Sequence, residues 1–265
     1  MARAPREEIV SVTTTTGRLD VVGGEFDTAL MIDGRPFALV WPDEEGSVGQ
    51  HLIRSAGVDL REEFQAARPL LGRGLNEDAD VIAAAGPFLG VVAPGSYRVR
   101  FEPQVDGWFG FHQLEPGSSR ATKCENFYPA SCELVATLPQ ENLDRDRVEH
   151  FRKAIETGER PVVVALAADE AWVGFVIDGH HKLTAYHELR VPPALLSLVR
   201  QAPKVVEELL HTEFGQHSMW ADYAGKRSSW FGPKATCGVP LRIFEEIEAA
   251  AVTLAKRLKM EVPHT

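Results

Sequence analysis

The sequence has little positive charge, no long apolar run and an odd number of cysteines. Its 265 residues carry 28 Lys and Arg against 38 Asp and Glu, which gives a formal net charge of −10. Nonspecific binding to nucleic acid or to an anionic membrane needs a positive field, so this balance argues against both partners. No apolar run approaches the ~20 residues of a transmembrane helix. We therefore expect a protein whose partners are neither membrane nor nucleic acid.

The cysteines and the amino terminus indicate the cellular compartment in which we expect the protein. Cys124, Cys132 and Cys237 cannot all pair within one chain, and unpaired thiols are typical of a reducing environment. Residues 1–8 contain no apolar stretch of the kind that a signal peptide needs. These features predict a cytoplasmic protein.

Residues 1–125 predict a mostly β module. Short apolar stretches between turn residues are typical of strands, and Phe88–Val92 is one of them. Asp33-Gly34 predicts a two-residue hairpin turn, because both residues accept positive φ at low cost. Ser47–Gln65 predicts a helix from the spacing of its apolar residues. No motif in these residues indicates a particular reaction. The module's role stays open between substrate specificity, cover of an active site, and contacts within a homo-oligomer.

Residues 131–265 predict an α/β domain with a core at 133–200 and a helical tail, so the whole chain is expected to be mixed α/β or α+β. Unbroken apolar strands in the core indicate burial on both faces of a sheet. The predicted core elements are the strand Glu133–Leu138, a helix from Asn142 or Asp144 to Glu156, the strands Pro161–Ala167 and Trp172–Ile177, the helix His180–Arg190 and the strand Pro193–Val199. Helices Lys204–His211 and Pro240–Met260 are predicted in the tail.

The segment Asp178-Gly179-His180-His181-Lys182 carries the strongest chemical signal. A buried strand leads directly into a turn and then a helix. Glycine lets the backbone approach a ligand, and the first N–H groups of the helix attract anions. Asp178 adds a carboxylate that suits Mg²⁺ or a polar substrate group. Together these residues predict a phosphate-binding corner.

Two motifs in residues 133–200 resemble the ParB/sulfiredoxin-like superfamily. The run from Gly179 to Ala185 is similar to its Gly-x-x-Arg-x-x-Ala phosphate motif, with Lys182 in place of the usual Arg. Asp178-Gly179-His180-His181 looks most like the free serine kinases, whose motif reads Asp-Gly-His-His-Arg. The upstream segment Pro139–Leu143 is similar to their Pro-x-Glu-x-Leu loop, which contains a catalytic glutamate. The resemblance covers about a quarter of the chain.

The resemblance implies a nucleotide-dependent kinase of a small hydroxylated substrate, such as free serine or a related amino acid. Gly179, His180, His181 and Lys182 would bind the nucleotide phosphates of ATP or ADP, with CTP as a further choice. Asp178 would orient Mg²⁺ or the transferred group, and Glu141 would accept the hydroxyl proton. Lys182 keeps the charge of the family's Arg but loses its planar fork.

Other interpretations stay open. The same fold would serve a ParB-like regulatory module that binds CTP or ATP without turnover. Asp178, His180 and His181 also suit the metal site of a nuclease, although the acidic charge argues against that substrate. Both motifs also have a purely structural interpretation. An acidic residue such as Glu141 is favoured near the start of a helix, where its charge complements the helix dipole, and Asp178-Gly179 by itself is typical of a turn.

Overall fold

The strands and helices of the chain come from a computed structural model. It describes residues 4–23, 28–42, 49–54, 64–76, 78–105, 109–112, 122–127, 132–138, 140–171 and 173–203. The predicted tail helices Lys204–His211 and Pro240–Met260 lie outside the described residues.

The described residues form strands and short helices. The strands are β1 Arg6–Val12, β2 Leu19–Gly23, β3 Thr28–Ile32, β4 Arg35–Pro42, β5 Gly49–Arg54, β6 Gly95–Glu102, β7 Phe109–His112, β8 Thr122–Phe127, β9 Cys132–Ala136, β10 Val162–Ala168, β11 Val173–Asp178 and β12 Ala194–Arg200. The helices are α1 Arg68–Arg73, α2 Val81–Leu89, α3 Arg145–Glu156 and α4 His180–Leu189. The predicted order of elements from residue 133 to residue 200 is confirmed.

A seven-stranded mixed sheet positions the candidate corner. Its order is β1-β6-β12-β10-β11-β9-β7. β10 pairs antiparallel with β11 and parallel with β12, while β9 pairs parallel with both β11 and β7. Strands β1, β6 and β7 come from the predicted amino-terminal module and complete the same sheet as β9–β12.

The second sheet has five antiparallel strands in the order β2-β3-β4-β5-β8. The hairpin turn at Asp33-Gly34 is confirmed, with φ of 51° and 75°. The helix predicted over Ser47–Gln65 is wrong for Gly49–Arg54, which is strand β5. Both neighbours of β5 in the sheet, β4 and β8, supply backbone partners that its local spacing does not reveal.

The strand predicted at Phe88–Val92 is also wrong, since Phe88 and Leu89 end helix α2, Gly90 and Val91 form a turn, and Val92 makes an isolated bridge to Leu19. The Asp80 side chain accepts a hydrogen bond from Ala83 N at 3.0 Å, so it caps this helix. An apolar helix end and an apolar strand look alike in a short window.

Apolar residues cover both faces of the seven-stranded sheet. Alternate residues of a strand point to opposite faces. Val162, Val164 and Leu166 of β10 therefore join the core under the five-stranded sheet, α1 and α2. Val163 and Ala165 join the core under α3 and α4. The predicted burial on both faces is confirmed, and the described part of the chain is mixed α+β. None of the described helices has the length and apolar character that a membrane crossing requires.

Candidate functional site

The predicted corner lies where β11 ends and α4 begins, and Gly179 makes the turn between them. Its φ of +94° is in the left-handed region that favours glycine. A Cβ at this position would lie 3.1 Å from Val163 Cα and 3.3 Å from Lys182 Cδ. Glycine is thus required here both by the backbone conformation and by the close packing of the turn on β10.

His180 and His181 connect the start of α4 to the segment that follows β9. The Nε2 atom of His180 accepts hydrogen bonds from the backbone N–H groups of Thr137 at 3.1 Å and Leu138 at 3.2 Å. The Nε2 atom of His181 accepts one from the backbone N–H of Asp144 at 3.0 Å. Two consecutive imidazoles thereby hold both ends of the segment 137–144, which we call the Glu141 loop.

His180 is held in its neutral form. Burial of the ring is the main cause that lowers its pKa to about 4, and the neighbouring His181 also lowers it. The Asp178 charge and a hydrogen bond with the Val176 backbone oppose this shift. An Nε2 atom that accepts hydrogen bonds from two N–H groups carries no proton. The hydrogen bonds and the lowered pKa therefore both indicate a neutral ring.

Asp178 and Lys182 form an ion pair inside the corner. Lys182 Nζ lies 3.3 Å from Asp178 Oδ2 and donates a hydrogen bond to Val162 O at 2.8 Å. The Lys182 side chain is only 7 % exposed, and its ammonium lies 5.9 Å from the centre of the Phe151 ring. Its predicted role as a phosphate ligand stays a prediction, since the ammonium contacts β10 and Asp178.

Glu141 lies in a single 3-10 turn, Gln140–Asn142, and is exposed. The turn is closed by a hydrogen bond from Leu143 N to Gln140 O at 3.1 Å. Asp144 then caps α3, because its side chain accepts hydrogen bonds from the first-turn N–H groups of that helix. The sequence allowed either Asn142 or Asp144 as the N-cap of α3, and in the structure the cap is Asp144.

The structure therefore brings the predicted site residues into one region. Asp178, Gly179, His180, His181 and Lys182 form the corner, and the histidines bind the two ends of the loop that carries Glu141. Pro139, the first residue of the predicted loop motif, lies outside the described residues.

Asp178 is the residue predicted to bind magnesium, and its role as a metal ligand stays a prediction. Mg²⁺ in phosphoryl-transfer sites is commonly held by one or two carboxylates, with phosphates and water as its other ligands. A single, partly exposed carboxylate fits that pattern. No group of three or more His, Cys, Asp or Glu that could hold a metal ion occurs in the part of the chain that the structure describes.

Sequence reasoning did not indicate two arginines whose charges act on Lys182. The pKa of Lys182 is lowered chiefly by burial and raised again by Asp178, and the charges of Arg147 and Arg68 lower it further. Arg147 lies in the first turn of α3, so the prediction of this helix could have located it. Arg68 lies on α1, more than a hundred residues before the motif, where no local pattern indicated it.

Comparisons with protein families, with curated proteins and with solved structures found no match for this chain.

Proposed function

We propose that this protein is a nucleotide-dependent phosphotransferase that acts on a small hydroxylated substrate, with free serine or a related amino acid as the first candidate. The observation that carries the proposal is the attachment of the Glu141 loop to the start of α4 by His180 and His181. Two segments that resemble the glutamate loop and the phosphate motif of free serine kinases are therefore neighbours, although nearly forty residues separate them in the sequence.

The element order supports the same proposal. The strand β9, the Glu141 loop, the helix α3, the hairpin β10-β11, the helix α4 and the strand β12 follow one another as the ParB/sulfiredoxin-like resemblance implies. A nucleotide would bind over the Gly179 turn, where the N-terminal end of a ten-residue helix favours phosphate.

In the proposed reaction, the substrate hydroxyl attacks the terminal phosphorus of the nucleotide. A new O–P bond forms, the bond between that phosphorus and the leaving phosphate oxygen breaks, and the hydroxyl proton passes to the Glu141 carboxylate. The exposed position of Glu141 lets it meet a substrate from solvent. His180 and His181 act as positioning residues, because they hold the backbone on both sides of Glu141.

Asp178 would hold the magnesium ion, which when bound neutralises charge on the phosphate oxygens. The chain's own contribution is to fix that carboxylate. The Lys182 ammonium, 3.3 Å away, donates a hydrogen bond to it and orients it.

The test is transfer of labelled phosphate from ATP or ADP to a panel of free amino acids in the presence of Mg²⁺. We expect a phosphorylated hydroxy-amino acid with the unaltered protein and a loss of about a hundredfold or more with Glu141→Gln, in line with the usual weight of a general base. Glu159→Gln is the matched control, because Glu159 is an exposed carboxylate beyond the other end of α3. Equal rates in the Glu141 and Glu159 variants would remove Glu141 from the base role.

A nucleotide-binding regulatory module without turnover is the second candidate. The inward-facing Lys182 favours it, because an ammonium that bonds Val162 O and Asp178 does not neutralise a reacting phosphate. Calorimetric binding of ATP, ADP or CTP, with no product formed from any acceptor, would select this candidate over the kinase.

A further inference from the structure

Strand β1 lies at one end of the seven-stranded sheet. In the described part of the chain its one neighbour is β6, which pairs with it from Arg6 to Val12 in an unbroken register. The outer edge of an end strand presents backbone N–H and C=O groups that a further strand can bind. Bulges commonly protect such edges, but the pairing of β1 with β6 has no register shift. Its outer edge is therefore suited to receive another strand.

The two faces of β1 differ in their surroundings. Val10 and Val12 pack against the core that the sheet shares with α1 and α2. Glu7, Ile9 and Ser11 alternate with them, so they point to the opposite face, and all three are exposed. Ile9 is 70 % exposed, more than any other large apolar side chain of the described residues. The outward face of β1 thus has an apolar centre between two polar residues.

A second copy of β1 fits this pattern. When two identical strands pair antiparallel about a two-fold axis, the residue on the axis faces its own counterpart, and residues at equal distances on either side of it face each other. Ile9 is the middle residue of β1, so an axis at Ile9 pairs the strand over its whole length. Ile9 then faces Ile9, and each Glu7 carboxylate faces a Ser11 hydroxyl, which can donate a hydrogen bond to it.

Other two-fold registers fit less well. An axis at Glu7 or at Glu8 would place two glutamates directly opposite each other, which destabilises a strand pair. An axis at Val10 would pair only residues 8–12 and would place Ile9 against Ser11. With the axis at Ile9, Glu8 faces Val10, and the two Glu8 side chains are only diagonal neighbours. The charges of β1 therefore favour the same register as its length and its apolar centre.

We propose that two copies of this chain associate through β1, with the two strands antiparallel and the two-fold axis at Ile9. The pairing joins the two seven-stranded sheets into one continuous sheet and covers the exposed Ile9 side chains with each other. Strands β6 and β12 separate β1 from β10, so the candidate corner stays open and the inference does not depend on the proposed function. The contact of one strand with one strand is a small interface, so we expect a dimer that dissociates on dilution.

Sedimentation velocity of the full chain over a range of concentrations, with a reducing agent present, measures this association. We expect the sedimentation coefficient to rise with concentration toward that of a dimer. Ile9→Glu would place two carboxylates face to face on the axis, and we expect it to weaken the dimer about fivefold or more. Within its own chain the new carboxylate would face Arg98 of β6, so the fold tolerates it. Leu70→Glu is the matched control, because Leu70 is the other exposed large apolar side chain, at 45 %.

Cysteine cross-linking tests the register. Directly opposed residues of two antiparallel strands have Cα atoms about 4.5–5.5 Å apart, a separation that a disulfide spans. Oxidised Ile9→Cys should therefore form a covalent dimer. The two Ser11 residues lie about 14 Å apart along the strands, so Ser11→Cys alone should not. A mixture of Glu7→Cys and Ser11→Cys should cross-link, although neither does by itself, and the unaltered protein gives the background from its own cysteines.

Each outcome decides the proposal. It is supported by a dimer that Ile9→Glu weakens and Leu70→Glu does not, together with preferential cross-linking of Ile9→Cys. A chain that stays monomeric at every concentration overturns it and leaves the edge to a strand of another protein. A dimer that Ile9→Glu leaves unchanged also overturns it, because that dimer uses another surface. Equal cross-linking of Ile9→Cys and Ser11→Cys would exclude the register. None of these results depends on phosphate transfer.

Discussion

The Nε2 atom of His181 accepts a hydrogen bond from the backbone N–H of Asp144, 3.0 Å away. This bond joins the first turn of α4 to the residue that caps α3. With the bonds from Thr137 and Leu138 to His180, it makes the backbone on both sides of Glu141 depend on two neighbouring side chains. The position of the proposed catalytic carboxylate is thereby set by the corner that is proposed to bind the nucleotide.

Loss of these bonds is expected to expose specific amides. His180→Ala should speed hydrogen exchange at Thr137 and Leu138, and His181→Ala should speed it at Asp144, each by roughly fivefold for a net bond of about 1 kcal/mol. The Leu143 amide, which is bonded to Gln140 O within the 3-10 turn, is the internal reference. Uniform acceleration at all four amides would mean that the variants unfold the region as a whole.

His180 is expected to make stability depend on pH. Its pKa is lowered from 6.5 to about 4 in the folded protein, so the unfolded chain takes up this proton at higher pH than the native chain does. The stability that the neutral ring contributes is present above about pH 6.5 and is lost as the pH falls to about 4. At about 1.4 kcal/mol for each pH unit, the loss approaches about 3 kcal/mol.

Chemical unfolding of the unaltered protein and of His180→Gln at several pH values between 4 and 8 measures this effect. We expect the free energy of unfolding of the variant to change less over this range, because its side chain does not titrate. His150→Gln is the control, since His150 is exposed on α3. Parallel curves for the unaltered protein and for His180→Gln would contradict the expectation.

Gly179 should resist substitution more than a comparable glycine. Gly158 has nearly the same φ, +98° against +94°, but a Cβ there would meet nothing within 4 Å. Gly158→Ala should cost about 1–2 kcal/mol for the left-handed backbone. Gly179→Ala should cost more, because its Cβ would also press on Val163 Cα. The difference between the two midpoints of urea unfolding measures the steric part, and equal costs would show that the turn moves away from β10 freely.

We expect the interaction energy between Asp178 and Lys182 to be large for an ion pair whose members are four residues apart in the sequence. Lys182→Met leaves the Asp178 carboxylate and Val162 O without their donor, at a cost of about 1–3 kcal/mol. In a double-mutant cycle with Asp178→Asn, we expect a coupling energy of about 1 kcal/mol or more. The exposed pair of Lys153 with Glu149 has the same separation of four residues and lies at 3.7 Å. Its coupling should stay below about 0.5 kcal/mol, and similar values for both pairs would contradict the buried role of Lys182.

Local patterns predicted much of this structure. Apolar runs located β10 and β11, and a candidate cap located the start of α3. Where local patterns failed, partners distant in sequence were responsible. Gly49–Arg54 has the spacing of a helix but lies between two strands that pair with it.

By itself, the sequence determined the strand-turn-helix corner at Gly179 and the order of elements around it, because these depend on backbone preferences over a few residues. Only the tertiary structure decided which partners the Lys182 ammonium contacts and which backbone amides the two histidines bind. These side chains contact residues that are far away in the sequence, and the periodicity of a short segment does not indicate such long-range contacts. The residues of the predicted phosphate motif therefore take their separate partners from the segments packed around them.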